Sequence, residues 1–137
     1  MNHWLLKTEP DEFSWVQLLA AGNGGEIWDG IRNHQAAGYL RQMGRGDQAF
    51  IYHTGRERRI VGIAEVTREQ FPDAADDSGR FVAVAVRAIA ALAQAVTLTV
   101  IKADPRFADF VLLRQGRLSV MPVTNVEWHA ILQLARG

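Results

Sequence analysis

The stretch QAFIYHTGRERRIVGIAEVTRE, residues 48–69, contains two β-rich runs that are separated by the charged segment GRER. A third run, RFVAVAVRAI at residues 80–89, follows a segment rich in proline and aspartate. β-Branched and aromatic residues favour strands, whereas glycine, proline and aspartate are typical of the connections between them. The three runs therefore predict three consecutive antiparallel strands at the centre of the fold.

The residues before this centre predict one more strand and two helices. HWLLK, residues 3–7, has the length of a strand, which we expect to end near Lys7 because Pro10 lacks an amide donor. Ser14 with Gln17 is a capping-box pattern and predicts a helix over 14–21. Asn33 is the predicted N-cap of a second helix. Between the helices, GNGGEIWDG lacks the spacing of a phosphate-binding loop and predicts a mobile surface loop.

The residues after the centre predict short helices, a last strand and a terminal helix. Thr97 can open a turn of helix, and Asp104 before Pro105 predicts a cap for a helix that covers FADFVLLRQG, residues 107–116. LSVMPV predicts the last strand, and Thr124 with Glu127 is a second capping box, before NVEWHAILQLA. The order of elements predicts one α+β domain over residues 1–137, with a mixed sheet or barrel surrounded by helices.

Composition excludes several classes of protein. Hydrophobic residues make up 48% and charged residues 22%, which indicates a folded globular chain. The chain has no cysteine, so disulfides and thiolate chemistry are excluded. The N-terminus does not resemble a signal peptide, and no segment reaches the roughly 18 apolar residues of a membrane span, so we expect a cytoplasmic protein without membrane partners.

The charge balance excludes a strong non-specific nucleic-acid binder, because the formal net charge is zero. Arginines nevertheless outnumber acidic residues between Arg32 and Arg59, which predicts one cationic surface. The histidines form no HxxxH or HxH pair, and no GxSxG motif is present, so the sequence predicts neither a metal site nor a serine nucleophile.

The four tryptophans divide into two groups. Trp4, Trp15 and Trp128 lie among apolar residues and are predicted core residues. Trp28 lies between a glycine-rich segment and a polar run, so a role in the core and a role in stacking on a ligand both stay open. His53 lies beside alanine and isoleucine in its strand, which favours a core position when the residue is considered alone.

Five blocks, WLLKTEPDEFSW, WDGIRNHQA, GDQAFIYHTG, IVGIAEV and LLRQGRLSVMPVTNVEWHAIL, resemble together the signature blocks of the EVE domain. They occur in the family's order from Trp4 to Leu132. The resemblance implies a PUA-like mixed β-pseudobarrel of about five or six strands surrounded by helices, related to the YTH and ASCH domains. It also implies a concave pocket, formed where separated polar segments converge, with no catalytic activity and no cofactor.

The resemblance implies a set of ligand-binding residues in four of these blocks. They are Lys7, Thr8, Glu9 and Pro10; Trp28, Arg32 and Asn33; Tyr52, His53 and Thr54; and Arg114, Leu118 and Ser119. The chain departs from the family's pattern at His34 and Gly116, where a tyrosine and a serine are common.

The function implied by the resemblance is non-catalytic binding of nucleic acid, DNA or RNA, with a modified base such as a methylated one held in the pocket. Stacking on the indole of Trp28 would contribute on the order of 1–3 kcal/mol. Two alternatives use the same residues. A small-molecule or nucleotide sensor would bind a free nucleoside as tightly as a strand, and a hydrolase or base-modifying enzyme would need His53 with Ser119 or Glu9.

Overall fold

The computed structural model describes residues 1–136 and contains one six-stranded mixed sheet. The strands are β1 (His3–Thr8), β2 (Glu26–Trp28), β3 (Gln48–His53), β4 (Arg59–Pro72), β5 (Val82–Thr97) and β6 (Val120–Val123). Their spatial order is β2-β5-β4-β3-β1-β6, so β2 and β6 form the two edges and the sheet stays open. The three central runs of the sequence are antiparallel neighbours, as predicted.

Within residues 1–136, five α-helices and two short 3₁₀ segments surround the sheet. The helices are α1 (Trp15–Ala20), α2 (His34–Gln42), α3 (Leu98–Lys102), α4 (Val111–Arg114) and α5 (Asn125–Ala135), and the 3₁₀ segments are Gly22–Gly24 and Pro105–Phe107. The prediction of an α+β fold with helices around a mixed sheet is confirmed. Among residues 1–136, no helix combines the length and the apolar character that crossing a bilayer requires.

The two capping boxes predicted the starts of α1 and α5 correctly. The Ser14 hydroxyl accepts from the amide of Gln17, whose side chain accepts from the amide of Ser14. The same reciprocal pair links Thr124 and Glu127 at the start of α5. These bonds satisfy amides that the first turn of a helix leaves without intrahelical partners, which is why the signal can be recognised within four residues of sequence.

Parallel pairing of β1 with β3 places two polar strand ends side by side. Lys7 lies opposite Tyr52, and Thr8 lies opposite His53. Because the carboxyl ends of parallel strands meet at one edge, the polar residues that follow each strand are brought together there. The core lies beneath, and it contains Trp4, as predicted, with the predicted Trp15 and Trp128.

The predicted surface loop between α1 and α2 is wrong in its central part, because Glu26–Trp28 form strand β2 against β5. Three residues are too few to show a strand period. Gly25 explains how the chain enters this pairing, since its φ is 66° and a Cβ would lie 2.2 Å from the carbonyl oxygen of Val86. Only glycine permits both this conformation and this close approach.

The predicted helix over 107–116 is also wrong in its first half. Only Val111–Arg114 are α-helical, and Phe107 ends a 3₁₀ turn that the Asp104 carboxylate caps by accepting from the amide of Arg106. Phe110 has extended backbone and, like Phe107, is fully buried, with the two ring centroids 5.6 Å apart. Burial of both rings in the core therefore overrides the local helical pattern.

Candidate binding site

A cleft opens between the end of β1 and the edge strand β2. Its volume is about 400 Å³, which is in the range of small-ligand sites. Four predicted site residues line it, two at the end of β1, one directly after β1 and one in β2, together with six residues that were not predicted. The lining residues are Lys7, Thr8, Glu9, Glu12, Phe13, Glu26, Ile27, Trp28, Asp29 and Ile31.

Trp28 forms the aromatic wall of this cleft and is also part of the core. Its exposed fraction is 7%, and its ring meets that of Phe13 edge to face, with centroids 5.9 Å apart. Pairing with Val84 in β5 holds its backbone. Trp28 is therefore a core residue whose ring also lines the cleft, and its stacking on a ligand stays a prediction.

The cleft is acidic, with four carboxylates lining it against one ammonium group. The carboxylates belong to Glu9, Glu12, Glu26 and Asp29, and the ammonium group belongs to Lys7. Such a lining disfavours phosphate and favours ligands whose edges donate hydrogen bonds.

Lys7 marks the boundary between this cleft and a smaller hollow of about 230 Å³. Its Nζ donates to the carbonyl of Gly116 at 2.7 Å and lies 5.7 Å from the centre of the Tyr52 ring. Burial lowers the pKa of this lysine. The smaller hollow contains Tyr52 and Thr54, so the predicted segments meet around Lys7 but line two adjoining cavities.

Hydrogen bonds link Thr8, which lines the cleft, to Thr54, which lines the smaller hollow. The Thr8 hydroxyl donates to the carbonyl of Phe13 at 2.7 Å, and the Thr54 amide donates to the carbonyl of Thr8 at 3.0 Å. The Thr54 hydroxyl also lies 3.4 Å from Glu9 Oε2. Gly55 has φ of 72°, and a Cβ there would lie 2.6 Å from the same carboxylate oxygen. Any larger residue after Thr54 would therefore displace Glu9.

His53 is buried, and both of its ring nitrogens are hydrogen-bonded. Nε2 accepts from the amide of Trp15 at 3.0 Å, and Nδ1 lies 2.9 Å from Glu57 Oε1. This arrangement requires the proton on Nδ1, which donates to the carboxylate, and the bond lowers the pKa of Glu57. His53 thus joins the end of β3 to the start of α1, and its predicted contact with a ligand stays a prediction.

Arg32 and Asn33 lie just beyond the cleft residues Asp29 and Ile31 and hold the turn that follows β2. Arg32 Nη1 pairs with Asp73 Oδ2 at 2.9 Å, and the amide of Gly30 donates to the same buried oxygen. The Arg32 hydrogen bond is the largest influence that lowers the pKa of Asp73. Asn33 Oδ1 accepts from the amide of Ala36, so the predicted N-cap of α2 is confirmed.

The remaining predicted residues do not line the cleft. Arg114 is exposed and pairs with Asp109 at 2.8 Å, while Leu118 is buried in the core. The carbonyl of Ser119 accepts from the amide of Lys7 at 2.9 Å, and Pro10 lies half-buried in the turn after β1. Ligand contacts by these four residues stay predictions.

The cleft residues that sequence reasoning missed are of two kinds. Glu26 begins the unrecognised strand β2 and Asp29 follows it, so a correct assignment of that strand would have placed them. Phe13 precedes the N-cap of α1, a position where an apolar residue ordinarily contacts the helix itself. No signal in the sequence distinguishes it as a cleft residue.

The predicted cationic surface divides into two. All six arginines between Arg32 and Arg59 are exposed. Apart from Arg32, which pairs with Asp73, they form two groups: Arg41 and Arg45 precede β3, whereas Arg56, Arg58 and Arg59 follow it. The two groups therefore lie at opposite ends of that strand. In the described residues 1–136, no three His, Asp or Glu side chains are close enough together to hold a metal ion.

Comparison with known proteins gives concordant results. The sequence profile of the EVE domain matches residues 2–134. Thymocyte nuclear protein 1 of Gallus gallus is 33% identical, with 96% of this chain and 68% of that protein aligned.

Two solved structures have the same fold. A protein from Rhodopseudomonas palustris, solved by NMR, is 46% identical with a TM-score of 0.94, covering 99% of this chain and 94% of that one. The human THYN1 protein in complex with DNA that contains 5-methylcytosine is 27% identical with a TM-score of 0.93, covering 100% of this chain and 99% of that one. The chain therefore belongs to the EVE domain family.

Proposed function

We propose that this protein is a non-catalytic nucleic-acid-binding domain that accepts one unstacked, modified base in the cleft beside Trp28. The observation that carries the proposal is the cleft itself, where an aromatic wall faces a group of carboxylates. The DNA complex of the human relative, which has the same fold over the whole chain, supports the class of ligand.

Stacking and hydrogen bonding both contribute to the free energy of binding in this mechanism. A base on the ring of Trp28 gains on the order of 1–3 kcal/mol from stacking, but its extrusion from a duplex costs a few kcal/mol. Hydrogen bonds at the base edge must therefore supply the rest. Carboxylates only accept, so Glu26 and Asp29 suit the exocyclic amino group of cytosine or adenine and disfavour the O4 carbonyl of thymine or uracil.

A methyl group on the base adds apolar contact with the aromatic wall. One buried carbon contributes about 0.8 kcal/mol, which corresponds to about a fourfold difference in affinity. We therefore expect preference for a methylated base, and not absolute selectivity.

The alternatives are distinguished by simple measurements. A nucleotide sensor would bind the free modified nucleoside as tightly as an oligonucleotide that contains it. A hydrolase would need His53 as a base, but both of its ring nitrogens are already hydrogen-bonded. An oligonucleotide that is recovered unchanged after long incubation with the protein would exclude that activity.

Substitution of Trp28 tests the proposal. Fluorescence anisotropy would measure the affinity of DNA and RNA oligonucleotides that contain cytosine, 5-methylcytosine, adenine or thymine at one position. Trp28→Ala should weaken binding of the preferred base by about 5- to 150-fold, the equivalent of the lost stacking. Thymine should bind most weakly to the unsubstituted protein.

Because Trp28 also packs in the core, the experiment needs two controls. Trp28→Phe keeps an aromatic ring and should bind with intermediate affinity, while Trp128→Phe changes a tryptophan that is also buried but does not line the cleft. Circular dichroism would verify that each variant is folded. A folded Trp28→Ala protein that binds as tightly as the unsubstituted one would exclude base stacking at this residue.

A further inference from the structure

The smaller hollow beside the cleft has the opposite electrostatic character. Of its eight lining residues, two are cationic and none is a carboxylate, and two carry hydroxyl groups. The cations are Lys7 and Arg58, and the hydroxyl groups belong to Tyr52 and Thr54. The Glu9 carboxylate, which lines the acidic cleft, lies 3.4 Å from the Thr54 hydroxyl.

Arg58 is held beside this hollow by an unusual backbone conformation. It is the one non-glycine residue among residues 1–136 with a positive φ, 45°, and its carbonyl accepts from the amide of Leu98 at 2.9 Å. Strained conformations of this kind persist where the surrounding structure enforces them, and they cluster at functional sites. The bond to the start of α3 therefore fixes the backbone from which the Arg58 side chain extends.

The cations of this region are free to bind an anion. Within the described part of the chain, the ion pairs shorter than 4.0 Å include neither Arg58 nor its neighbours Arg56 and Lys102, whereas Arg59 pairs with Glu57. Lys7 donates one hydrogen bond to Gly116, and an ammonium group has three donors.

A second hollow continues the basic surface away from the cleft. Its volume is about 280 Å³, and it shares Arg58 and Leu98 with the first hollow. Arg56 and Lys102 supply two more cations there, against the single carboxylate of Glu57, which already accepts from His53 and Arg59. A row of cations thus leads from Lys7 at the edge of the base cleft to Lys102.

We infer that this row binds the sugar-phosphate backbone of the strand that supplies the base, with the phosphate next to the unstacked nucleotide between Lys7 and Arg58. The inference rests on the proposed function, and it adds the path of the strand. The separation of charge supports it, because the acidic cleft disfavours phosphate while the adjoining hollow offers two cations and two hydroxyl groups to it. The next phosphate along the strand would lie between Arg56 and Lys102.

The test compares ligands with and without a phosphate. Isothermal titration calorimetry would measure binding of 5-methyl-deoxycytidine and of its 5′- and 3′-monophosphates. We expect at least one monophosphate to bind several-fold more tightly than the nucleoside, and we expect Arg58→Gln to remove this gain. Arg58→Lys, which keeps the charge, should retain part of it. Arg45→Gln is the matched control, because it removes an exposed arginine at the other end of β3.

Salt dependence gives a second readout with a single-stranded oligonucleotide. Loss of one phosphate contact should make the slope of log K against log salt shallower by about 0.7. We expect this change for Arg58→Gln and also for Lys102→Gln, and we expect no change for Arg45→Gln. If Arg58→Gln leaves both the monophosphate gain and the slope unchanged while Trp28→Ala weakens binding, the strand path is wrong and the base cleft is supported. If Arg58→Gln weakens binding and Trp28→Ala does not, the anion site is supported and the base cleft is wrong.

Discussion

The buried carboxylate of Asp47 joins two separate parts of the chain by hydrogen bonds. Its carboxylate accepts from the indole Nε1 of Trp4 at 3.0 Å, from the amide of Gly44 at 2.9 Å and from the amide of Asn2 at 3.1 Å. Burial is the largest single influence and would raise the pKa of Asp47, but these hydrogen bonds together outweigh it and lower the pKa. The residue thereby joins the start of β1 to the turn before β3.

Replacement of Asp47 should therefore destabilise the whole fold. Asp47→Ala leaves the buried indole N–H of Trp4 without a partner, and we expect a loss of about 1–3 kcal/mol in the free energy of unfolding by urea. Because the folded-state pKa is lowered, the stabilisation is present above the ordinary pKa of 3.8 and is lost as the pH falls through the folded-state value.

The control for this prediction is Asp109→Ala, which removes an exposed carboxylate and should change stability by no more than about 0.5 kcal/mol. An Asp47→Ala protein with the same urea midpoint as the unsubstituted chain would contradict the prediction.

At the scale of elements, the packing of α1 against the sheet depends on a glycine, Gly62, in β4. A Cβ at Gly62 in β4 would lie 2.5 Å from ring atoms of Trp15, the first residue of α1. The ring is buried and cannot move aside at low cost, and the amide of the same residue is bonded to His53. The glycine therefore makes room for the Trp15 ring against the strand.

Two glycine substitutions should have opposite effects. Gly62→Ala forces Trp15 away from β4, and we expect it to destabilise the protein by about 1–3 kcal/mol. Gly38→Ala lies inside α2, where a Cβ would meet nothing within 4 Å, and should stabilise the protein by about 0.5–1 kcal/mol. Thermal and urea unfolding would measure both, and a Gly62→Ala protein at least as stable as the unsubstituted chain would show that the close contact is not required.

The elements themselves were largely predictable, and the exceptions share a cause. Both capping boxes, the N-cap at Asn33 and the three central strands follow from interactions within a few residues, so the sequence shows them. Strand β2 was missed because it consists of three residues that are held by β5, which lies about 60 positions further along the chain. The helix start at Phe107 was wrong because burial of two phenylalanines decided the backbone there.

At the scale of the whole molecule, a net charge of zero conceals a separation of charge. The carboxylates of the cleft and the cations of the adjoining hollows lie on either side of Lys7. Binding of nucleic acid would therefore depend on a few local contacts, because the chain as a whole generates no attraction at long range.

We therefore expect a shallow salt dependence for the unsubstituted protein. Contact with two or three phosphates predicts a slope of log K against log salt of roughly −1.4 to −2.1 on single-stranded oligonucleotides. Anisotropy titrations across a range of salt concentrations would measure it. A slope steeper than about −4 would indicate many more phosphate contacts than the described cations can make.

The candidate site was predictable as a set of polar segments but not as a geometry. Lys7, Thr8 and Glu9 lie at the predicted end of a strand, and Trp28 lies between a glycine-rich segment and a polar run, but only the resemblance to the EVE domain marked them as ligand-binding residues. The sequence does not show that Thr54 lies beside Thr8 or that Arg58 adjoins the same hollow as Lys7.

Local hydrogen bonds and hydrophobic spacing determine where helices and strands begin, since they act over three or four residues. Pairing of β1 with β3 and of β2 with β5 joins positions tens of residues apart, so the tertiary structure alone decided which of the polar residues share a cavity and which sign of charge each cavity carries.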